Sequence, residues 1–150
     1  MTDISIELAT VKDVDTLWKW GDENWELWGD DKYKWFPKES LEAWVKDPED
    51  DFFLVAKLNE KPVGMCMITV MKDWGFCWGL YIDTPFRGKG IGKVMITESE
   101  KRLKKQGISL LSLLVDVKNK KALSFYEREG FYKGFQFFMM TKEIKGEVLD

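Results

Sequence analysis

Residues 87–93 read RGKGIGK and follow GLYID, residues 79–83, after the three residues TPF. Three glycines and three cations share seven positions behind an apolar run. That run ends FCWGLYI, residues 76–82, and reads as a strand. From residue 90 the period changes to that of a helix. Through 90–106, Ile91, Met95, Ser99 and Leu103 fall on one face, flanked by Val94, with lysines and glutamates opposite. Gly107 is a suitable residue to end that helix. Residues 108–117, ISLLSLLVDV, are almost continuously apolar, which predicts a strand buried on both faces. Strand, helix and strand in this order predict a parallel pair inside a mixed sheet.

Working outward, ISIEL at 4–8 alternates as a strand, KDVDTLWKW at 12–20 reads as a helix entered through Thr10 or Asp13, and KESLEAWVK at 38–46 as a second helix stopped by Asp47-Pro48. FFLVAKL at 52–58, VGMCMITVM at 63–71 and the strand 76–82 are separated by turns at 59–62 and 72–75, an antiparallel meander. Asn119 is a candidate N-cap for a helix through Glu129 that stops at Gly130. Residues 131–133 and 136–144 suggest a closing pair of short strands. The expected class is α/β or α+β with about seven strands in one domain, 1–150. No repeat, linker or low-complexity tract interrupts it.

Composition narrows the chemistry. The net charge is −3 over 150 residues, against a general nucleic-acid-binding surface, though a local cationic pocket is compatible with it. No histidine is present, which removes Ser–His and Cys–His dyads and histidine metal ligands. Two cysteines, Cys66 and Cys77, are too few for a four-thiolate zinc site, and no metal is expected. The start, MTDISIELATVKD, has no long apolar core of a secretory signal, and no apolar run approaches a membrane span. The cytoplasm is the expected compartment, with both thiols reduced.

The glycine loop fits neither familiar nucleotide loop. A Walker A loop needs glycine where Arg87 stands and Ser or Thr where Val94 stands. The dinucleotide fingerprint is G-x-G-x-x-G, and this loop is G-x-G-x-G. The physics still favours an anion. The first N–H groups of a helix lack partners and lie at its positive end, and glycines let that backbone come close to a phosphate. The plain alternative is a glycine turn with solvated cations, and the loop alone does not choose between them.

R-G-K-G-I-G after an apolar strand resembles the cofactor-loop motif R/Q-x-x-G-x-G/A of the GNAT family of N-acetyltransferases. Residues 119–131, NKKALSFYEREGF, resemble that family's later block N-x-x-A-x-x-F-Y-x-x-x-G-F at matching spacing, and IELATVKDVDTL is similar to its first strand and helix. The resemblance implies an acyl-CoA N-acyltransferase fold with helices on both faces of the sheet and a central parallel pair, 76–82 and 108–117, splayed around acetyl-CoA. It implies that backbone N–H groups of Arg87, Gly88, Lys89, Gly90, Ile91, Gly92 and Lys93 hold the pyrophosphate. Leu80, Tyr81 and Ile82 would pair with the pantetheine arm. One N–H there would polarise the acetyl carbonyl. Asn119 would touch the arm or pin the strand end, and Ala122 and Phe125 would line the thioester channel. Tyr126 would be the catalytic acid that protonates the leaving thiolate, where the plain reading makes it a core aromatic.

Many members carry a glutamate on the strand before the glycine loop, and here that strand has no carboxylate. Asp83 stands at its end, beside the loop. The base stays open among Glu23, Glu26, Asp116 and water. Cys77, with no histidine to activate it and apolar neighbours, reads as a core residue like Cys66, so direct transfer is expected. The resemblance places the acceptor site by WKWGDENWELWGDDKYKWF, residues 18–36. Its aromatics and acids suit a cationic amine such as a polyamine or amino sugar. Glu23, Trp25, Glu26 and Trp28 are the candidates for substrate binding, against the plain reading that the tryptophans fill the core. The alternatives are a non-catalytic acyl-CoA sensor and an enzyme acting on protein lysines or N-termini. A homodimer stays open.

Overall fold

The computed structural model describes residues 3–24, 32 and 35–146. Trp25, Glu26 and Trp28, three of the four expected acceptor-site residues, lie outside them. The strands are β1 (Ile4–Leu8), β2 (Phe52–Leu58), β3 (Lys61–Met71), β4 (Trp74–Ile82) and β5 (Leu110–Leu113). The helices are α1 (Val14–Glu23), α2 (Lys38–Lys46), α3 (Ile91–Lys105) and α4 (Lys120–Arg128). The five strands form one sheet in the order β1-β2-β3-β4-β5, antiparallel except for the parallel pair β4–β5.

Both faces of the sheet are covered. On one, Ile91, Met95 and Leu103 of α3 pack on Leu54, Cys66, Ile68 and Cys77. On the other, Val14, Leu17 and Trp20 of α1 and Leu41 and Val45 of α2 pack on Phe53, Val55, Met65, Met67 and Tyr81. The α3 face is the one predicted from its period. α1 enters through a 3-10 turn, Val11–Asp13, where Asp13 Oδ2 accepts the Thr10 N–H at 2.9 Å. Asp13 is buried, and its other oxygen lies 3.3 Å from Lys57 Nζ, tying this turn to β2. Burial alone would lower the pKa of Lys57, but its hydrogen bonds to Asp13 and Glu7 outweigh that and raise it.

The sheet corrects three expectations. There are five strands among the described residues, where about seven were expected. The run 108–117 gives only the four residues of β5, and it is not buried on both faces. Leu110, Leu114 and Val117 are at least half exposed. Residues 131–145 carry no strand, and Phe135, Phe137, Phe138 and Met140 are exposed. A strand needs a neighbour to take its N–H and C=O groups, and β5 offers too short an edge.

Candidate active site

The site begins where β4 loses its neighbour. The β4–β5 ladder runs from Trp74↔Leu110 to Cys77↔Leu113 and stops there, while β4 continues to Ile82. At that point β4 also carries a bulge. Ile68 faces Cys77 and Met67 faces Gly79, so Trp78 is the extra residue. Bulges bend a strand and increase its twist. From Trp78 to Ile82 the side of β4 away from β3 has no strand along it among the described residues. The expected splay of the parallel pair is present.

The glycine loop closes one end of this notch. Gly88 (φ +74°) and Gly90 (φ +83°) are in the left-handed region, which L side chains rarely adopt, and a Cβ at either would point into open space. Gly90 is the N-cap of α3, and its carbonyl accepts the Val94 N–H at 3.2 Å. The N–H groups of Ile91, Gly92 and Lys93 therefore have no carbonyl within the helix, and no acidic residue occupies the first turn. Arg87 Nε donates to the Ile82 carbonyl at 2.7 Å, and the guanidinium lies 5.3 Å from the centre of the Tyr81 ring. Loop and strand end are thus fastened together. Bare donors at a helix N-terminus, flanked by exposed Arg87, Lys89 and Lys93, fit an anion such as a diphosphate.

The predicted residues do not all project into the notch. Ile91 is buried in the core, so only its backbone faces the loop. Tyr81 points to the α1 face, with its ring 5.3 Å from Trp20. Leu80 and Phe125 lie beside Gly92: a Cβ there would stand 3.8 Å from Leu80 Cδ2 and 3.1 Å from Phe125 Cζ. Asn119 is the N-cap of α4, its Oδ1 accepting the Ala122 N–H at 3.1 Å. The third loop glycine is thus a packing clearance for α4, a role the sequence reading missed.

Tyr126 is half-buried, with its ring 5.1 Å from Phe125 and 5.4 Å from Phe131. Burial, reinforced by Cys77 and Cys66, pushes its phenol well above the usual tyrosine range. Cys66 and Cys77 are buried and reduced, with sulfurs 3.8 Å apart, and Cys66 Sγ lies 3.6 Å from Ser99 Oγ. The hydrogen bond to Cys66, then burial, hold the Cys77 thiol well above its usual range. That opposes a thiolate nucleophile.

Of the carboxylates considered as a base, Asp83 caps the following turn through the Thr84 N–H at 3.0 Å, and Asp116 accepts the Lys118 N–H at 2.8 Å. Glu23 is exposed at the end of α1, 3.8 Å from Lys19. It lines an open cleft of about 420 Å³ with Asp15, Trp20, Lys19, Lys61 and Asp83. No local sequence signal marks this cleft, because Lys61 and Asp83 join α1 only through the sheet. Most described tryptophans and aromatics of 18–36 are structural. Trp20 is buried, Trp18 Nε1 donates to the Phe36 carbonyl at 3.0 Å, and Trp35 packs over Gly21, which has no room for a side chain. Among the described residues no cluster suits a metal ion and no helix is long and apolar enough to cross a membrane.

A mixed sheet with a splayed parallel pair and an anion-ready glycine loop at its mouth defines an acyl-CoA N-acyltransferase architecture. The profile of the acetyltransferase (GNAT) family matches residues 15–131, and the chain belongs to that family of acyltransferase enzymes. It is 32% identical over 113 residues to an uncharacterised N-acetyltransferase of Methanocaldococcus jannaschii, covering 69% of this chain and 50% of that protein. The chain thus spans about half the length of that relative. A spermidine N(1)-acetyltransferase of Thermoplasma acidophilum is 29% identical, over 85% of this chain and 88% of its own. The PaiA N-acetyltransferase of the same organism, solved with coenzyme A, superposes with a TM-score of 0.78 at 26% identity, covering 87% of this chain and 91% of that one. An aminoglycoside acetyltransferase from a soil metagenome shares the fold, with a TM-score of 0.75 at 20% identity over 95% of this chain and 97% of that one.

Proposed function

We propose that the chain moves an acetyl group from acetyl-CoA directly to a primary amine, and that the amine is a small cation such as a polyamine or amino sugar. The observation that carries this is the notch: β4 runs free of β5 beyond Cys77, and the bare N-terminus of α3 stands at its mouth. The free edge of Leu80, Tyr81 and Ile82 suits an extended amide-bearing arm, added like a strand. The N–H groups of residues 88–93 suit the diphosphate. Asn119 and Ala122, at the start of α4, and Phe125 line the channel between them.

In the reaction the amine nitrogen bonds to the thioester carbon and the carbon–sulfur bond breaks. The nitrogen gives up a proton and the sulfur gains one. Backbone N–H groups at the bulged edge of β4 stabilise the carbonyl oxygen as its charge grows. Tyr126 remains protonated at neutral pH, because burial raises its pKa. It donates its hydrogen bond and then its proton to the departing sulfur, and water returns the proton to the phenol. With no carboxylate on β4, Glu23 or water takes the amine proton. Asp15 of the cleft beside α1 is paired with Lys38, but Glu23 and Asp83 also line it and offer carboxylates to a cationic acceptor, and the similarity to the spermidine acetyltransferase points the same way. The expected compartment is the cytoplasm.

The test is mass spectrometry of products after incubation with acetyl-CoA and separate pools of polyamines, amino sugars, amino acids and peptides. Acetylated polyamine or amino sugar is the expected product. Acetylated peptide alone would move the acceptor to protein amines. The absent β4 carboxylate favours a second reading, an acyl-CoA sensor, and binding of acetyl-CoA with no product from any pool would select it.

A further inference from the structure

Resting on the acetyl-CoA reading, we propose that the outer face of α4 is a phosphomonoester subsite that takes the 3′-phosphate on the ribose of coenzyme A. Lys120, Ser124 and Arg128 succeed one another at four-residue spacing, so they stand in a row along the helix, with Lys121 beside them. All four are exposed, and together they line a cleft of about 380 Å³ with no carboxylate in its lining.

Several cations of the other helices are neutralised by neighbouring acids, although Lys93, Lys101, Lys104 and Lys105 of α3 also form no ion pair with a described residue. On α1, α2 and α3, Lys19, Lys46 and Arg102 each pair with a glutamate four residues earlier or later, and Lys38 pairs with Asp15. Lys120, Lys121 and Arg128 form no ion pair with a described residue, while Glu127 of the same helix pairs with Lys133 instead. In a chain of net charge −3 this leaves a concentrated positive strip.

Its position matches the ligand's covalent structure. The diphosphate at the 5′ position and the phosphate at the 3′ position share one ribose, so their two sites must be neighbours. Phe125 borders the cationic strip on α4 and its ring meets Gly92 in the first turn of α3. One aromatic side chain therefore separates the diphosphate donors from Lys121 and Arg128. A phosphomonoester carries close to two charges at neutral pH and accepts several charge-assisted hydrogen bonds. Two lysines, an arginine and a hydroxyl supply them.

Calorimetric titration of the full chain with coenzyme A and with 3′-dephospho-coenzyme A tests this. The native chain should bind coenzyme A about tenfold more tightly or better. Lys120→Gln/Lys121→Gln/Arg128→Gln should weaken coenzyme A to the level of the dephospho form and leave the dephospho form unchanged. That unchanged affinity also reports an intact fold, and Lys121→Gln alone should remove part of the preference. Equal binding of the two ligands by the native chain, or a preference that survives the triple change, would overturn the subsite while leaving the acetyl-CoA reading standing. Failure of the native chain to bind either ligand would overturn both.

Discussion

Gly92 and Phe125 are fitted to each other: a Cβ on Gly92 would stand 3.1 Å from Phe125 Cζ. The helix that carries Tyr126 thus rests on the first turn of α3 because position 92 has no side chain. Gly92→Ala should displace the ring and widen the channel mouth. The KM for acetyl-CoA should rise several-fold with a smaller change in kcat, and Phe125→Leu in the same chain should recover part of it. Unchanged kinetics for Gly92→Ala would mean the contact is slack.

Tyr126→Phe removes the proposed donor to the leaving sulfur and keeps the ring. kcat should fall about a hundredfold, the lower end for a positioned acid, while the KM for acetyl-CoA changes little. Steady-state kinetics decide it, and full turnover by the variant would dismiss Tyr126 as the donor.

The same phenol sets an alkaline limit on stability. An unfolded tyrosine titrates near pH ~10, and burial raises Tyr126 above that in the folded chain. The folded state holds this proton more firmly, so the contribution is complete below about pH 10 and is lost as pH rises beyond it. Urea midpoints should therefore fall less steeply above that pH in Tyr126→Phe than in the native chain.

Asp13 joins the Thr10 turn to Lys57 from a buried position. Asp13→Ala leaves the Thr10 N–H unpaired and Lys57 with only Glu7. It should cost about 2–3 kcal/mol in urea denaturation, with kinetic constants preserved in the folded fraction.

Cys77 sits 3.8 Å from Cys66 in the core, with its thiol held protonated. Cys77→Ala should keep turnover near the native level, and no acetylated cysteine should be found after incubation with acetyl-CoA alone. An acetyl-enzyme carrying the group on Cys77 would replace direct transfer with a two-step route.

The sequence is most readable where the signal is local. Ile91, Met95, Ser99 and Leu103 repeat with the helical period and are all buried, Asn119 caps the helix it precedes, and the glycine loop stands between strand and helix as read. What fails depends on pairing between distant segments. The run 108–117 looks like a ten-residue strand, yet only Leu110–Leu113 pair, because β4 bulges at Trp78 and its ladder with β5 ends. Nothing local to Cys77-Trp78-Gly79 announces a bulge, which exists only against Met67 and Ile68. The cleft beside Glu23 is similarly non-local, joining α1 to Lys61 and Asp83 across the sheet. The packing role of Gly92 requires knowing that Phe125 arrives above it.

The measurement that bears most directly on the central claim is the initial rate of free thiol release from acetyl-CoA, with and without spermidine. Transfer at the β4 notch predicts release that depends on the amine, saturates in both substrates and falls sharply in Tyr126→Phe. Amine-independent release, or none from a chain that binds acetyl-CoA across polyamines, amino sugars and peptides, would contradict it.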